Sequence, residues 1–216
     1  MFFILLKYDY LVIEGNIGAG KTTLAVKLAQ ETGSRLVLEQ FSDNPFLARF
    51  YDDPERYAFQ LELSFLSERY QQIKNELGYP ELFKEGVISD YYLAKSFIFS
   101  KHNLKTDEMK LFEKLFAIIQ QQIRRPDLYV YLHVSVEKLL ENIRNRGRPY
   151  EQQIRPEYLQ EVQAGYFGFF KSSPDLKILV VDTTNLDFAN NESDYQQIRK
   201  LILEGEYRTG MNMLIL

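Results

Sequence analysis

The sequence predicts an α/β fold with a five-stranded parallel sheet covered by helices on both faces. Three observations carry that expectation. Residues 10 to 24, YLVIEGNIGAGKTTL, run an apolar strand into a glycine-rich turn and then a helix; five apolar or β-branched runs alternate with helical patterns; and 45% hydrophobic content over 216 residues supplies enough apolar side chains to cover both faces. A chain of this length buries about 70% of its unfolded surface as a single domain, and one domain spanning residues 1–216 is expected.

The first strand, YLVIEG at 10–15, ends in Gly15, Asn16, Ile17, Gly18, Ala19, Gly20, Lys21 and Thr22, which fits GxxxxGK[ST] letter for letter. Glycines at these positions let backbone N–H groups turn onto a polyphosphate, and the helix beginning TTL, with Thr23 in its first turn, presents its free amides to the same anion. Lys21 is expected on the β- and γ-phosphates and the Thr22 hydroxyl on a magnesium ion. A chance glycine-rich turn would not place a strand before it and a helix after it.

The remaining strand runs are RLVLEQ at 35–40, GVISDY at 86–91, LYVYLHV at 128–134 and KILVVDT at 177–183. In a parallel sheet the active edge lies at the carboxyl ends of the strands, where Glu39 and Asp90 fall. Glu39 beside the phosphate loop suits a base accepting the proton of an attacking hydroxyl, with a solvated strand-end glutamate as the plain alternative. Asp90 suits a second magnesium-binding carboxylate, against a turn-forming aspartate.

A long amphipathic helix is predicted from Pro54 to Leu77, capped by Asp53, with Phe59, Leu63, Leu66, Tyr70, Ile73 and Leu77 on its apolar stripe. A second runs from Thr106 to Arg124 with Leu111, Leu115, Ile118 and Ile119 as its apolar face. Core packing explains both stripes, and a dimer surface explains them equally well. A third helix starts near Val136 and ends in Arg144, Arg146 and Arg148. One or two basic residues there would simply complement the helix dipole, whereas three spread around Gly147 before Pro149 read as a lid, about 142–156, that closes over a transferring phosphoryl group.

Composition narrows the chemistry. A net charge of −4 argues against a nucleic-acid-coating surface, and the absence of cysteine excludes disulfides, thiolate nucleophiles and zinc–thiolate sites. Of the two histidines, His133 alternates within a strand run and reads as packing, which leaves catalysis to carboxylates, arginines and a hard metal ion. No stretch reaches the roughly 20 apolar residues of a membrane span, and FFILL is too short for a signal-peptide core, so a cytoplasmic protein is expected. Met1 to Leu6 precede a first strand that begins at Tyr8 or Tyr10.

Taken together, IEGNIGAGKTTL, the LEQ glutamate, FYDDPERYAF, RNRGRPYEQQI followed by PEYL, and NLDF resemble the deoxynucleoside kinases, a family with the P-loop kinase fold. The resemblance spans most of the chain. It implies ATP and Mg2+ as cofactors, a deoxynucleoside substrate and a homodimer. It implies Glu39 as the base for the sugar 5′-hydroxyl, Tyr51 and Glu151 as the pair binding the 3′-hydroxyl, and Arg146 and Arg148 as lid arginines with Arg144 a further candidate. Asp187 and Phe188 match a loop contacting the donor's adenine, against a capping aspartate with a packed phenylalanine.

Three departures stand out. Ser89-Asp90-Tyr91-Tyr92 lacks the arginine the family usually carries after the third strand, which weakens the metal assignment of Asp90. Glu62 occupies the place of a base-recognising Gln, with Gln60 the nearby amide, and Asn142 stands where some members have a lid arginine. A carboxylate accepts hydrogen bonds, so Glu62 favours bases presenting amino or N–H groups: deoxyadenosine or deoxyguanosine first, deoxycytidine next, thymidine last. Two rivals remain: a nucleoside monophosphate kinase resembling thymidylate kinase, whose charged acceptor Glu62 and Glu151 would oppose, and a nucleotide switch without an acceptor, for which the NKxD and DxxG runs are missing.

Overall fold

In the computed structural model, residues 6–40, 44–77 and 86–215 are described. The chain forms β1 (Tyr10–Gly15), α1 (Lys21–Thr32), β2 (Arg35–Val37), α2 (Leu47–Asp52), α3 (Pro54–Leu77), β3 (Val87–Ser89), α4 (Ala94–Asn103), α5 (Thr106–Gln120), β4 (Leu128–His133), α6 (Val136–Arg146), α7 (Pro156–Lys171), β5 (Lys177–Asp182), α8 (Glu192–Glu204) and β6 (Gly210–Ile215). A single 3-10 turn, Pro149–Glu151, lies between α6 and α7.

The sheet is parallel, in the order β2-β3-β1-β4-β5-β6. It has six strands, one more than the five apolar runs predict. The added strand, GMNMLI, pairs with β5 at the edge and leaves Met211 and Met213 exposed. An edge strand buries too little to need a continuous apolar run, which is why its sequence does not announce it.

Side-chain alternation along β1 sends Leu11 and Ile13 to one face and Tyr10 and Val12 to the other. Leu24 and Leu28 of α1, Leu139 and Ile143 of α6, and Ile198 and Ile202 of α8 cover the first face. Leu66 and Ile73 of α3, Ile98 of α4, Phe112 and Phe116 of α5, and Tyr166 and Phe170 of α7 cover the second. Gly165 of α7 faces Ile98 so closely that a Cβ there would sit 2.9 Å from its Cγ2, which lets α4 approach α7.

Helix α3 has the predicted bounds, and the Asp53 carboxylate caps it by accepting from the Arg56 N–H at 3.3 Å. Its buried face is turned from the predicted stripe: with Leu66 and Ile73 it buries Ala58, Leu61, Glu62 and Arg69, while Phe59, Leu63, Tyr70 and Leu77 are half-buried. Helix α5 ends at Gln120, before the predicted Arg124. Its predicted apolar face is also corrected, for Phe112 and Phe116 fill the core while Leu111 and Ile118 are 49% and 59% exposed. The two rings bury more surface than the neighbouring aliphatic residues, so they take the inward side. His133 closes β4 and packs edge-on against Phe167.

Candidate active site

Beyond the carboxyl ends of β1, β2 and β3 lies a cleft enclosing about 900 Å³, open mouth included. The phosphate loop forms its floor. Gly18 and Gly20 adopt φ of 85° and 82°, the left-handed region that favours glycine, and a Cβ on Gly20 would sit 2.6 Å from Phe188 Cζ. Gly20 begins α1 with no side-chain cap, so the first amides of the helix face the loop. The Asn142 amide donates to the Gly18 carbonyl at 2.9 Å, so the residue in the place of a lid arginine braces the loop. Asn16 is fixed from two sides, donating to the Leu159 carbonyl at 2.7 Å and accepting from the Ile17 N–H at 2.8 Å.

Beneath the loop, Glu14 is fully buried and accepts from the Tyr92 N–H at 2.9 Å and the Tyr166 hydroxyl at 2.8 Å. Burial raises its pKa against the opposing pull of Lys95 and Lys21. Lys21 Nζ donates to the Asn16 carbonyl at 2.9 Å; burial first, then the charge of Lys95, lowers its pKa to about 8. An arriving phosphate would supply the anion that this ammonium lacks.

Asp90 joins the phosphate end to the acceptor end. Its Oδ2 accepts from the Thr22 hydroxyl and its Oδ1 from the Glu39 N–H at 2.8 Å. Thr22 and Asp90 therefore bring two hard oxygen donors together, a set that suits magnesium. Among the described residues no group of three or more His, Asp or Glu side chains could hold a metal ion, so a cation here would take its remaining ligands from phosphates and water.

The Glu39 carboxylate is clamped. Lys95 Nζ donates to Oε2 at 2.5 Å, and Arg69 donates to Oε1 through Nε at 2.9 Å and Nη2 at 2.7 Å. Burial alone would raise its pKa, but the Lys95 and Arg69 charges outweigh burial and hold it at about 2. Arg69 is fixed in turn by the Ser96 hydroxyl at 2.6 Å. Sequence periodicity overlooked both cations, although a lone charge on an apolar helix stripe (Arg69) or within YYLAKSFIF (Lys95) is itself a signal, since such groups are seldom buried unless paired.

The acceptor end is lined by Leu47, Phe50, Leu61, Phe65, Phe99 and Tyr158, a set of apolar and aromatic surfaces suited to a planar base. Glu62 and Asn103 are the polar groups set among them, joined by a 2.6 Å hydrogen bond from Asn103 Nδ2 to Glu62 Oε1. Burial pushes Glu62 up to about 7, against the Asn103 hydrogen bond and the charges of Arg69 and Lys95. Gln60 lies on the exposed side of α3 and outside the cleft. Tyr51 falls within α2, and its side chain lies outside the described residues.

Arg146 at the end of α6, and Arg148, Tyr150 and Glu151 in the stretch after it, line the cleft. Glu151 is buried and accepts from Arg146 and, at 3.3 Å, from Arg148. Arg144 is exposed and does not line the cleft, because it leaves α6 on the side away from Arg146 and Arg148. Thr23 also points to solvent. Phe188 is packed in the core beneath Gly20, and Asp187 accepts from the Asn190 side chain within the turn, while Asn191 caps α8.

The deoxynucleoside kinase family model matches residues 11–204. Over 201 residues the chain is 35% identical to the deoxyguanosine kinase of Bacillus subtilis (strain 168), covering 90% of this chain and 96% of that protein. Over 171 residues it is 36% identical to the deoxyadenosine kinase of Dictyostelium discoideum, covering 77% and 68%. The structure of M. mycoides deoxyadenosine kinase with bound dCTP superposes with a TM-score of 0.75 at 25% identity, covering 88% of this chain and 96% of that one. A phosphate loop, a clamped strand-end carboxylate and an arginine-bearing turn thus sit within a match that runs nearly end to end, and the chain belongs to the deoxynucleoside kinase family.

Proposed function

We propose that this kinase transfers the γ-phosphoryl group of ATP to the 5′-hydroxyl of a deoxynucleoside, purines before deoxycytidine, in nucleotide salvage. One observation carries the reading: Asp90 bonds both the Thr22 hydroxyl of the phosphate loop and the Glu39 N–H, tying the donor's cradle to the acceptor's base through a single side chain. ATP lies with its phosphates on residues 15–22, where Lys21 exchanges the Asn16 carbonyl for phosphate oxygens. Thr22 and Asp90 would hold Mg2+, whose chemistry is to neutralise charge on the phosphate oxygens.

Glu39 receives the proton of the attacking hydroxyl. A carboxylate held near 2 is a weak base, and it accepts that proton late, once the oxygen has begun to bond phosphorus and become strongly acidic. Such timing suits the loose transition state of phosphoryl transfer. Lys95 and Arg69 keep the carboxylate in place until then. Arg146 and Arg148 neutralise charge on the moving phosphoryl group and exclude water, which would otherwise hydrolyse ATP. Glu151, with Tyr51, holds the sugar 3′-hydroxyl, and Glu62 reads the base.

The exposed Leu111, Leu115 and Ile118 of α5 form an outward stripe, which we assign to the contact between two copies of this chain. No helix among the described residues is long and apolar enough to cross a membrane. The test is to incubate the protein with ATP, magnesium and each deoxynucleoside or its monophosphate. A deoxynucleoside monophosphate is the expected product; a diphosphate, or release of phosphate alone, would overturn the reading.

A further inference from the structure

Glu62 is 2% exposed and lines the acceptor end of the cleft. Its Oε1 accepts from Asn103, while its Oε2 is buried without a partner. Both nearby cations, Arg69 and Lys95, bond Glu39 instead, and among the described residues Glu62 makes no ion pair. A buried carboxylate oxygen with no donor is costly, so a ligand that brings one is strongly favoured there. Asn103 directs its amide nitrogen to Glu62 Oε1, so its Oδ1 is the acceptor atom of that side chain.

We propose that Glu62 and Asn103 form a base selector whose choice between purines follows the proton on Glu62, the carboxylate taking guanine and the acid taking adenine. The proposal rests on the kinase reading above and concerns which base occupies the site. Guanine presents two adjacent donors, N1–H and the 2-amino group, and the ionised pair offers acceptors to them at Glu62 Oε2 and Asn103 Oδ1. Adenine presents one donor, the 6-amino group, beside one acceptor, N1. It therefore needs a donor on Oε2, which only the acid form carries.

Burial sets Glu62 at about 7, so both forms are populated near neutrality. The charged groups around it are Arg69 on its own helix, Lys95 on α4 and Glu39 after β2; Lys21, Asp90, Arg146, Arg148, Glu151 and the Tyr150 phenol line the same cleft. Guanine, by donating to the carboxylate, lowers the Glu62 pKa, and adenine, by accepting its proton, raises it.

The experiment is a competition between deoxyguanosine and deoxyadenosine at about pH 6 and about pH 8. Whatever the shared phosphoryl-transfer machinery contributes cancels in the ratio of kcat/KM. Between these pH values the carboxylate fraction rises about tenfold and the acid fraction falls about tenfold, so the guanine-to-adenine ratio should rise by tenfold or more, about a hundredfold at the limit. In Glu62→Gln the amide offers one donor and one acceptor at any pH, so the ratio should lie lower and stay flat. A flat ratio in the unaltered protein would overturn the proposal, and so would an unchanged pH dependence in Glu62→Gln. Absence of monophosphate from every deoxynucleoside would instead bring down the kinase reading, and the selector with it.

Discussion

At Glu39 two cations converge on the carboxylate of a residue with a single chemical task, while its own N–H donates to Asp90. Replacing it with Gln keeps its shape and one acceptor oxygen but removes the charge that Lys95 and Arg69 clasp and the site that receives the proton. Turnover of Glu39→Gln is expected to fall by about 10² to 10⁴ in kcat, while calorimetric titration with ATP shows affinity close to the parent protein. Its thermal midpoint should also drop, because two buried cations lose their counter-ion. Near-normal turnover would remove Glu39 from the base role. Lys21 separates binding from proton transfer: Lys21→Ala should lose ATP affinity itself, since its ammonium reaches the phosphates rather than the acceptor.

At the scale of elements, the end of α6 and the turn after it divide three arginines into two kinds. Arg146 and Arg148 reach Glu151 at the cleft, so Arg146→Ala and Arg148→Ala should each lower kcat by about 100-fold or more in steady-state assays. Arg144→Ala, exposed and outside the cleft, should stay within about twofold. The two sides of α5 divide in the same way. Phe116→Ala should cost about 3–5 kcal/mol in denaturant unfolding, whereas Ile118→Glu should leave protomer stability nearly unchanged and lower the mass measured by light scattering to that of one chain. These contrasts mark where sequence is legible. The phosphate loop and the bounds of α3 rest on local signals, glycine spacing and a Pro54 start, and they read directly. The facing of α5 does not, because Phe112 and Phe116 adjoin Leu111, Leu115 and Ile118, and two neighbouring apolar stripes leave periodicity nothing to choose between. The clamp on Glu39 is invisible for another reason: Arg69 and Lys95 lie 30 and 56 positions away, and only the strand order β2-β3-β1 brings α3 and α4 to the end of β2.

For the whole molecule, the acceptor cleft is built at the expense of stability, and the effect has a definite pH signature. Glu62 ionises near the usual carboxylate value of about 4.5 in the unfolded chain but at about 7 in the folded one. Between these values the folded state binds more protons than the unfolded state, so stability is fully present below about 4.5 and is lost as pH rises through 7. Glu39 has the opposite displacement, from 4.5 down to about 2, so its contribution is complete above 4.5 and does not vary in this window. A shift of this size in Glu62 corresponds to about 3 kcal/mol at most, several degrees in thermal midpoint for a chain of this length. Glu62→Gln removes the titration without changing the packing, so its midpoint should exceed that of the parent at about pH 8 and approach it at about pH 5. The unliganded parent carries that cost because Oε2 has no donor. A nucleoside that supplies one should restore stability chiefly at the higher pH, with deoxyguanosine raising the midpoint more at pH 8 than at pH 5 and Glu62→Gln showing no such difference. Thermal unfolding of the two proteins across this range, with and without nucleoside, measures the effect, and coincident curves would show that Glu62 is not the buried acid that sets it.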